Sequence, residues 1–87
     1  MTYQLRFTRS AETYLLRLER PTQERIAVKL RALTENPFGA GSKPLTNAGG
    51  LRATRVGLWR VIYGVENELR VVHIEVIGPR GQAYRGL

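Results

Sequence analysis

Residues 69–77 constrain this chain more than any other stretch. Val71, Val72, Ile74, Val76 and Ile77 fall within it, with only Arg70, His73 and Glu75 between them as charged or polar residues. That density of β-branched side chains predicts a strand inside a sheet, covered at least in part on both faces. Gly78-Pro79 is read as its stop. The rest of the chain must supply flanking strands and a covering layer. With 87 residues there is material for one compact core, so residues 1–87 are read as a single domain.

The covering layer is legible in the first half. Residues 3–7 alternate apolar and polar, from Tyr3 to Phe7, which predicts a short strand. Thr8 or Ser10 can cap a following helix with Ala11, Tyr14, Leu15 and Leu18 on one side. Pro21 breaks that helix and suits the first turn of the next one, whose apolar stripe is Ile26, Leu30 and Leu33. Asn36-Pro37 ends it. Residues 38–50, rich in glycine, are read as a long connector pinned by Leu45. Residues 51–56 and 58–65 are two further strands, and Glu66-Asn67-Glu68 a reversal into the β-branched run. The expected fold is α+β, β-α-α-β-β-β, an antiparallel-rich small sheet with a helical hairpin on one face. The other face is expected to be open.

Lys and Arg number 14 against 7 acidic residues, a formal charge of +7, and all the cations except Lys29 and Lys43 are arginine. A guanidinium stays charged and can grip phosphate at two points, so the balance points to a polyanionic partner. Several chemistries lack their parts. There is no cysteine for a zinc site, disulfide or thiol nucleophile, and a single histidine, His73. Aspartate is absent, and Glu66, Glu68 and Glu75 form no ligand motif. No metal or cofactor is expected. With no apolar run long enough for a membrane span and no signal-peptide pattern, the expectation is a soluble cytoplasmic protein with no membrane partner.

Arginine recurs through the later strands, at Arg52, Arg55, Arg60 and Arg70, and then at Arg80 and Arg85. Alternation puts Arg60 on the face of Leu58 and Ile62, opposite Trp59, Val61 and Tyr63. A cation between residues that want burial needs a partner or a wet groove, or else a stem lying on apolar surface with its head in water. Arg80 follows a rigid Gly-Pro corner, where site residues concentrate. Tyr84 is either a packing anchor or a phenol tuned by neighbouring cations. His73, inside the apolar strand, reads as a sheet residue. Guanidinium groups with a phenol suit metal-free transesterification of RNA, with the substrate's own 2′-hydroxyl as nucleophile.

Asn36-Pro37, Lys43-Pro44-Leu45, the stretch from Arg55-Val56-Gly57 through Arg60-Val61-Ile62-Tyr63, and Gly78-Pro79-Arg80 followed by Tyr84-Arg85 together resemble the RelE/ParE toxin superfamily. These are the toxin halves of bacterial type II toxin–antitoxin pairs. The resemblance spans essentially the whole chain and is strongest to the RelE branch. It implies an endoribonuclease that cuts mRNA in the ribosomal A site and is silenced by a RelB-type antitoxin. It implies that Arg60 and Arg80 are catalytic and stabilise the scissile phosphate, that Tyr84 positions the nucleotide or moves a proton, and that Arg55 contacts phosphate. Arg52 and Arg85 are read as further phosphate-binding residues, Arg52 lying one place from a basic family position held here by Ala53. Leu58 replaces a frequent polar residue, and Pro79 a frequent histidine or lysine, so the general base has no obvious family counterpart.

The same resemblance implies the partners: the cognate antitoxin, the ribosome and mRNA, and operator DNA only through the antitoxin complex. The rival readings are a ParE-like, non-enzymatic inhibitor of DNA gyrase, and a toxin without catalysis that acts only within an antitoxin–operator complex.

Overall fold

The computed structural model describes residues 2–39 and 41–80. Tyr84 and Arg85 lie outside the described residues. Seven elements follow in order: β1 (Gln4–Phe7), α1 (Arg9–Arg17), α2 (Arg20–Glu35), β2 (Lys43–Pro44), β3 (Arg52–Val56), β4 (Trp59–Glu66) and β5 (Val71–Pro79). The strands form one mixed sheet in the order β1-β5-β4-β3-β2. β1 runs parallel to β5, and the remaining neighbours are antiparallel. The β-branched run thus lies inside the sheet, between β1 and β4, as its composition predicts.

Thr8, not Ser10, caps α1: its hydroxyl oxygen accepts from the Ala11 N–H at 3.2 Å. The Thr8 hydroxyl donates in turn to the Glu75 carbonyl at 2.8 Å, tying the helix start to β5. α1 ends at Leu18, and Pro21 sits in the first turn of α2. There the missing N–H costs nothing and the fixed φ favours the helix. Gln23 of α2 donates its side-chain amide to the Leu15 carbonyl at 2.8 Å, closing the hairpin. Asn36 caps α2 at its C-terminal end, before Pro37.

The hairpin covers one sheet face. Ala11, Ile26, Leu30 and Leu33 pack with Val56, Val61, Tyr63, Val72, Ile74 and Ile77 in the main core, and Tyr14, Leu15 and Leu18 pack against it. Every helical residue assigned to an apolar stripe therefore faces the sheet. Between Ile62 and Tyr63 the β4–β5 register shifts: Ile62 pairs with Val76 and Tyr63 with Ile74. Glu75 is skipped, a β-bulge that leaves its carbonyl for Thr8.

Four expectations need correction. The connector contains β2, whose two residues pair with Arg52 and Ala53. The last strand begins at Val71 and runs through Gly78-Pro79, while Leu69 and Arg70 belong to the turn. Arg70 adopts φ +55°, and its guanidinium lies over the Tyr3 ring, 5.2 Å from the centroid. β4 begins at Trp59, because Gly57 and Leu58 form the turn. Finally, the face away from the helices is not fully open: Leu45 and Leu51 fold over Ala53, Ile62 and Val76 in a second small cluster. A buried Ile62 on that face could not be left to water, and the connector covers it.

Candidate functional site

The cations of the later strands divide between the two sheet faces. Arg55 and Arg60 are directly opposite each other across β3 and β4, and Gly78 of β5 lies opposite Arg60 on the other side. All three fall on the face away from the helices. The Arg80 N–H donates to the Leu58 carbonyl at 2.8 Å, which carries the β4–β5 ladder to the base of the Gly57-Leu58 turn and fixes the backbone of Arg80 beside Arg60.

Arg55, Arg60 and Arg80 line a groove of about 440 Å³. Lys43, Arg55, Arg60 and Arg80 supply its charge, and Pro44, Leu45 and Ala53 its apolar surface. Among the described residues no carboxylate lines it. Like charges directly opposite on neighbouring strands work against a sheet, and Arg55 and Arg60 are placed in that relation.

The structure thus brings Arg55, Arg60 and Arg80 together. It does not bring Arg52 to them. Arg52 points to the other face, where its Nε donates to Ser42 Oγ at 2.8 Å and its Nη2 to the Ser42 carbonyl at 3.3 Å. Its guanidinium also lies 5.1 Å from the centre of the Phe38 ring. Tyr63 completes this cluster: its hydroxyl donates to the Pro37 carbonyl at 2.7 Å and contacts the Ser42 hydroxyl. Arg52 therefore anchors the connector. Lys43 was not among the candidates. Its signal, a lysine before proline in a loop, gives no hint that a two-residue strand sets it against β3.

His73 pairs with Glu66, Nε2 to Oε1 at 2.7 Å, at the far end of the sheet from the groove. It behaves as the sheet residue its position predicts. Tyr14 stacks edge-on to Trp59, ring centres 6.2 Å apart, under the helical hairpin, and burial holds its phenol above the ordinary value. It faces away from the groove. Among the described residues no cluster of His, Cys, Asp or Glu could hold a metal ion, and no helix is long and apolar enough to cross a membrane.

Several solved structures share this architecture. The archaeal RelE–RelB complex from Pyrococcus horikoshii matches at 27% identity, with 95% of this chain and 100% of that chain covered and a TM-score of 0.81. The RelBE2 toxin–antitoxin complex of Mycobacterium tuberculosis matches at 26% identity over 92% of this chain and 100% of that chain, TM-score 0.78. The YoeB/ParE toxin of Agrobacterium tumefaciens, at 21% identity, covers 88% and 98% with a TM-score of 0.77 and shares the fold. No curated protein matches the chain. The family model for the ParE toxin of type II toxin–antitoxin systems matches residues 5–84, nearly the full length. The chain belongs to that family, within the RelE/ParE superfamily, and is a toxin of a type II toxin–antitoxin system.

Proposed function

We propose that this toxin is a ribosome-dependent endoribonuclease that cleaves mRNA in the A site by metal-free transesterification. The observation that carries the reading is the convergence of Lys43, Arg55, Arg60 and Arg80 on one groove that no carboxylate lines among the described residues. In the reaction the 2′-oxygen of the substrate attacks the adjacent phosphorus, and the bond to the 5′-oxygen breaks. A 2′,3′-cyclic phosphate and a 5′-hydroxyl result. Negative charge builds on the non-bridging oxygens, and fixed guanidinium groups stabilise it without reorganising. Arg60 and Arg80 take that role, while Arg55 and Lys43 hold flanking phosphates. Tyr84 assists by positioning the nucleotide or moving a proton, with Arg85 as a further phosphate contact, on the strength of the resemblance.

So shallow a site orients the 2′-hydroxyl poorly by itself. The ribosome supplies the in-line geometry, which accounts for much of the rate in reactions of this kind. The reading takes residues 1–87 as one toxin domain acting in the cytoplasm. It also takes a RelB-type antitoxin as the neutralising partner, as in the similar complexes from P. horikoshii and M. tuberculosis, with operator DNA reached only through that complex. Carboxylates on the antitoxin would offset the charge of the groove.

A ParE-like inhibition of DNA gyrase without catalysis is the second reading, favoured by the family model that matches. Mapping mRNA 5′ ends on ribosomes after induction separates the two. New ends at A-site codons, absent with the Arg60→Ala/Arg80→Ala double variant, support the nuclease. Intact transcripts accompanied by DNA damage support gyrase inhibition and refute cleavage.

A further inference from the structure

A second pocket lies on the other side of β3, under the helical layer. It measures about 200 Å³, and Lys29, Asn36, Ser42 and Thr54 are its polar lining. Thr54 is 1% exposed, yet among the described residues its hydroxyl has no hydrogen-bond partner and it lines this pocket. Its hydroxyl is not sealed from the pocket, so a group held there can meet it. The Lys29 ammonium also has no ion-pair partner among the described residues. A Cβ placed on Gly41 would lie 3.8 Å from Lys29 Nζ and 3.9 Å from Thr54 Oγ1, so the two groups converge on one point. Gly41 adopts φ +87°, a conformation that suits glycine and keeps that point empty of side chain.

Asn36 adds a third donor. Its Oδ1 accepts from the Phe38 N–H at 3.1 Å, which leaves Nδ2 turned toward Gly39, 3.4 Å from where a Cβ there would stand. The lining therefore offers an ammonium, a hydroxyl and an amide NH₂, with no carboxylate among the described residues. Ser42 is already engaged by Arg52 and Tyr63. Donors of this kind select an anion, and the volume is below the roughly 300 Å³ at which pockets begin to hold drug-sized molecules.

We propose that this pocket, formed by Lys29, Asn36 and Thr54, binds a single phosphate group. Phosphate oxygens only accept hydrogen bonds, as a lining of donors requires, and the negative charge matches Lys29. The site is separate from the cationic groove, but Gly41 borders both, since it also lines the groove. An occupied pocket would brace the connector that carries Lys43. The proposal does not depend on RNA cleavage.

The test is a titration of the full-length ¹⁵N-labelled protein with inorganic phosphate at constant ionic strength, followed by NMR. The Asn36 side-chain amide and the Thr54 backbone amide should shift and saturate. Thr54→Val, nearly isosteric, and Lys29→Met should each weaken that titration by about tenfold or more, the effect of losing one hydrogen bond to a charged group. Signals from Arg55 and Arg80 in the groove should respond as before. Thr54→Ser, which retains the hydroxyl, should retain binding. A dinucleotide monophosphate in place of inorganic phosphate tells whether the group is accepted free or within a nucleic-acid backbone, and saturation by either supports the site. Pocket signals that do not move, that titrate in both variants as they do in the unsubstituted protein, or that respond to acetate as strongly as to phosphate would overturn the assignment.

Discussion

At the scale of single residues, the groove depends on a turn too short to tolerate error. Gly57 adopts φ +59° and Leu58 does not share the positive φ, the pattern of a type II′ hairpin with glycine first. This turn sets the register that puts Arg55 opposite Arg60. A Cβ on Gly57 would also approach Arg25 Nη2 to 2.8 Å. Gly57→Ala is therefore expected to destabilise the protein by about 1–2 kcal/mol, the cost of a left-handed conformation for a residue with a Cβ. Chemical denaturation measures this, and unchanged stability would mean that the turn adopts another form. Arg52 supplies the opposite contrast. Arg52→Ala removes two hydrogen bonds and a ring contact from the Ser42 anchor. It should cost roughly 1–3 kcal/mol of stability while leaving RNA affinity within a factor of about two. A larger loss of affinity with full stability would return Arg52 to the binding surface. Alternation along β3 sets Arg52 and Arg55 on opposite faces, yet the sequence reading grouped both as phosphate contacts. It could not say which face binds, because that depends on where the helices pack.

At the scale of elements, the stripes of both helices and the β-branched run were legible because each repeats one physical requirement over several residues. Ile26, Leu30 and Leu33 had to share a face, and they do. What escaped sequence reasoning was set by single contacts between distant segments. β2 consists of two residues and exists only because β3 passes beside it. The bulge at Glu75 has no local signature, and neither does the left-handed Arg70, whose side chain is held by Tyr3 from the other end of the chain. The candidate residues were legible to a lesser degree: strand position drew attention to Arg60 and Arg80 and the family resemblance supplied their roles, whereas Lys43 needs the β2–β3 pairing. Thr8 joins local and distant information, capping α1 with one lone pair and donating to the bulge with its proton. Thr8→Ala should thus cost more than the ~1 kcal/mol of an ordinary cap, since it leaves the Glu75 carbonyl unmet as well. A drop in Tm of about 8 °C or more is expected for a protein of this size. Thr8→Ser should recover most of it. If Thr8→Ala melts with the wild type, the tie between α1 and β5 contributes nothing.

At the scale of the whole molecule, a formal charge of +7 invites the view that any polyanion would bind anywhere on the surface. The distribution argues for a local effect. Lys43, Arg55, Arg60 and Arg80 share one concave surface, whereas Arg20 is paired with Glu24 on α2 at 3.7 Å and Arg31 is exposed on the same helix, across the sheet from the groove. Binding of single-stranded RNA releases counterions in proportion to the phosphates neutralised, with log K falling against log salt by about 0.7 per contact. Four groove cations thus predict a slope of roughly −3 for the isolated toxin, far less than the full charge would give. Arg55→Thr should flatten it by about 0.7, and Arg31→Gln should leave it unchanged. Arg55→Thr also removes the charge directly opposite Arg60, so the variant should bind RNA more weakly yet unfold at an equal or higher denaturant concentration. That pairing of lost affinity with retained or increased stability is what a functional cluster of like charges predicts. Equal slopes for the two variants would mean that net charge, and not the groove, governs binding.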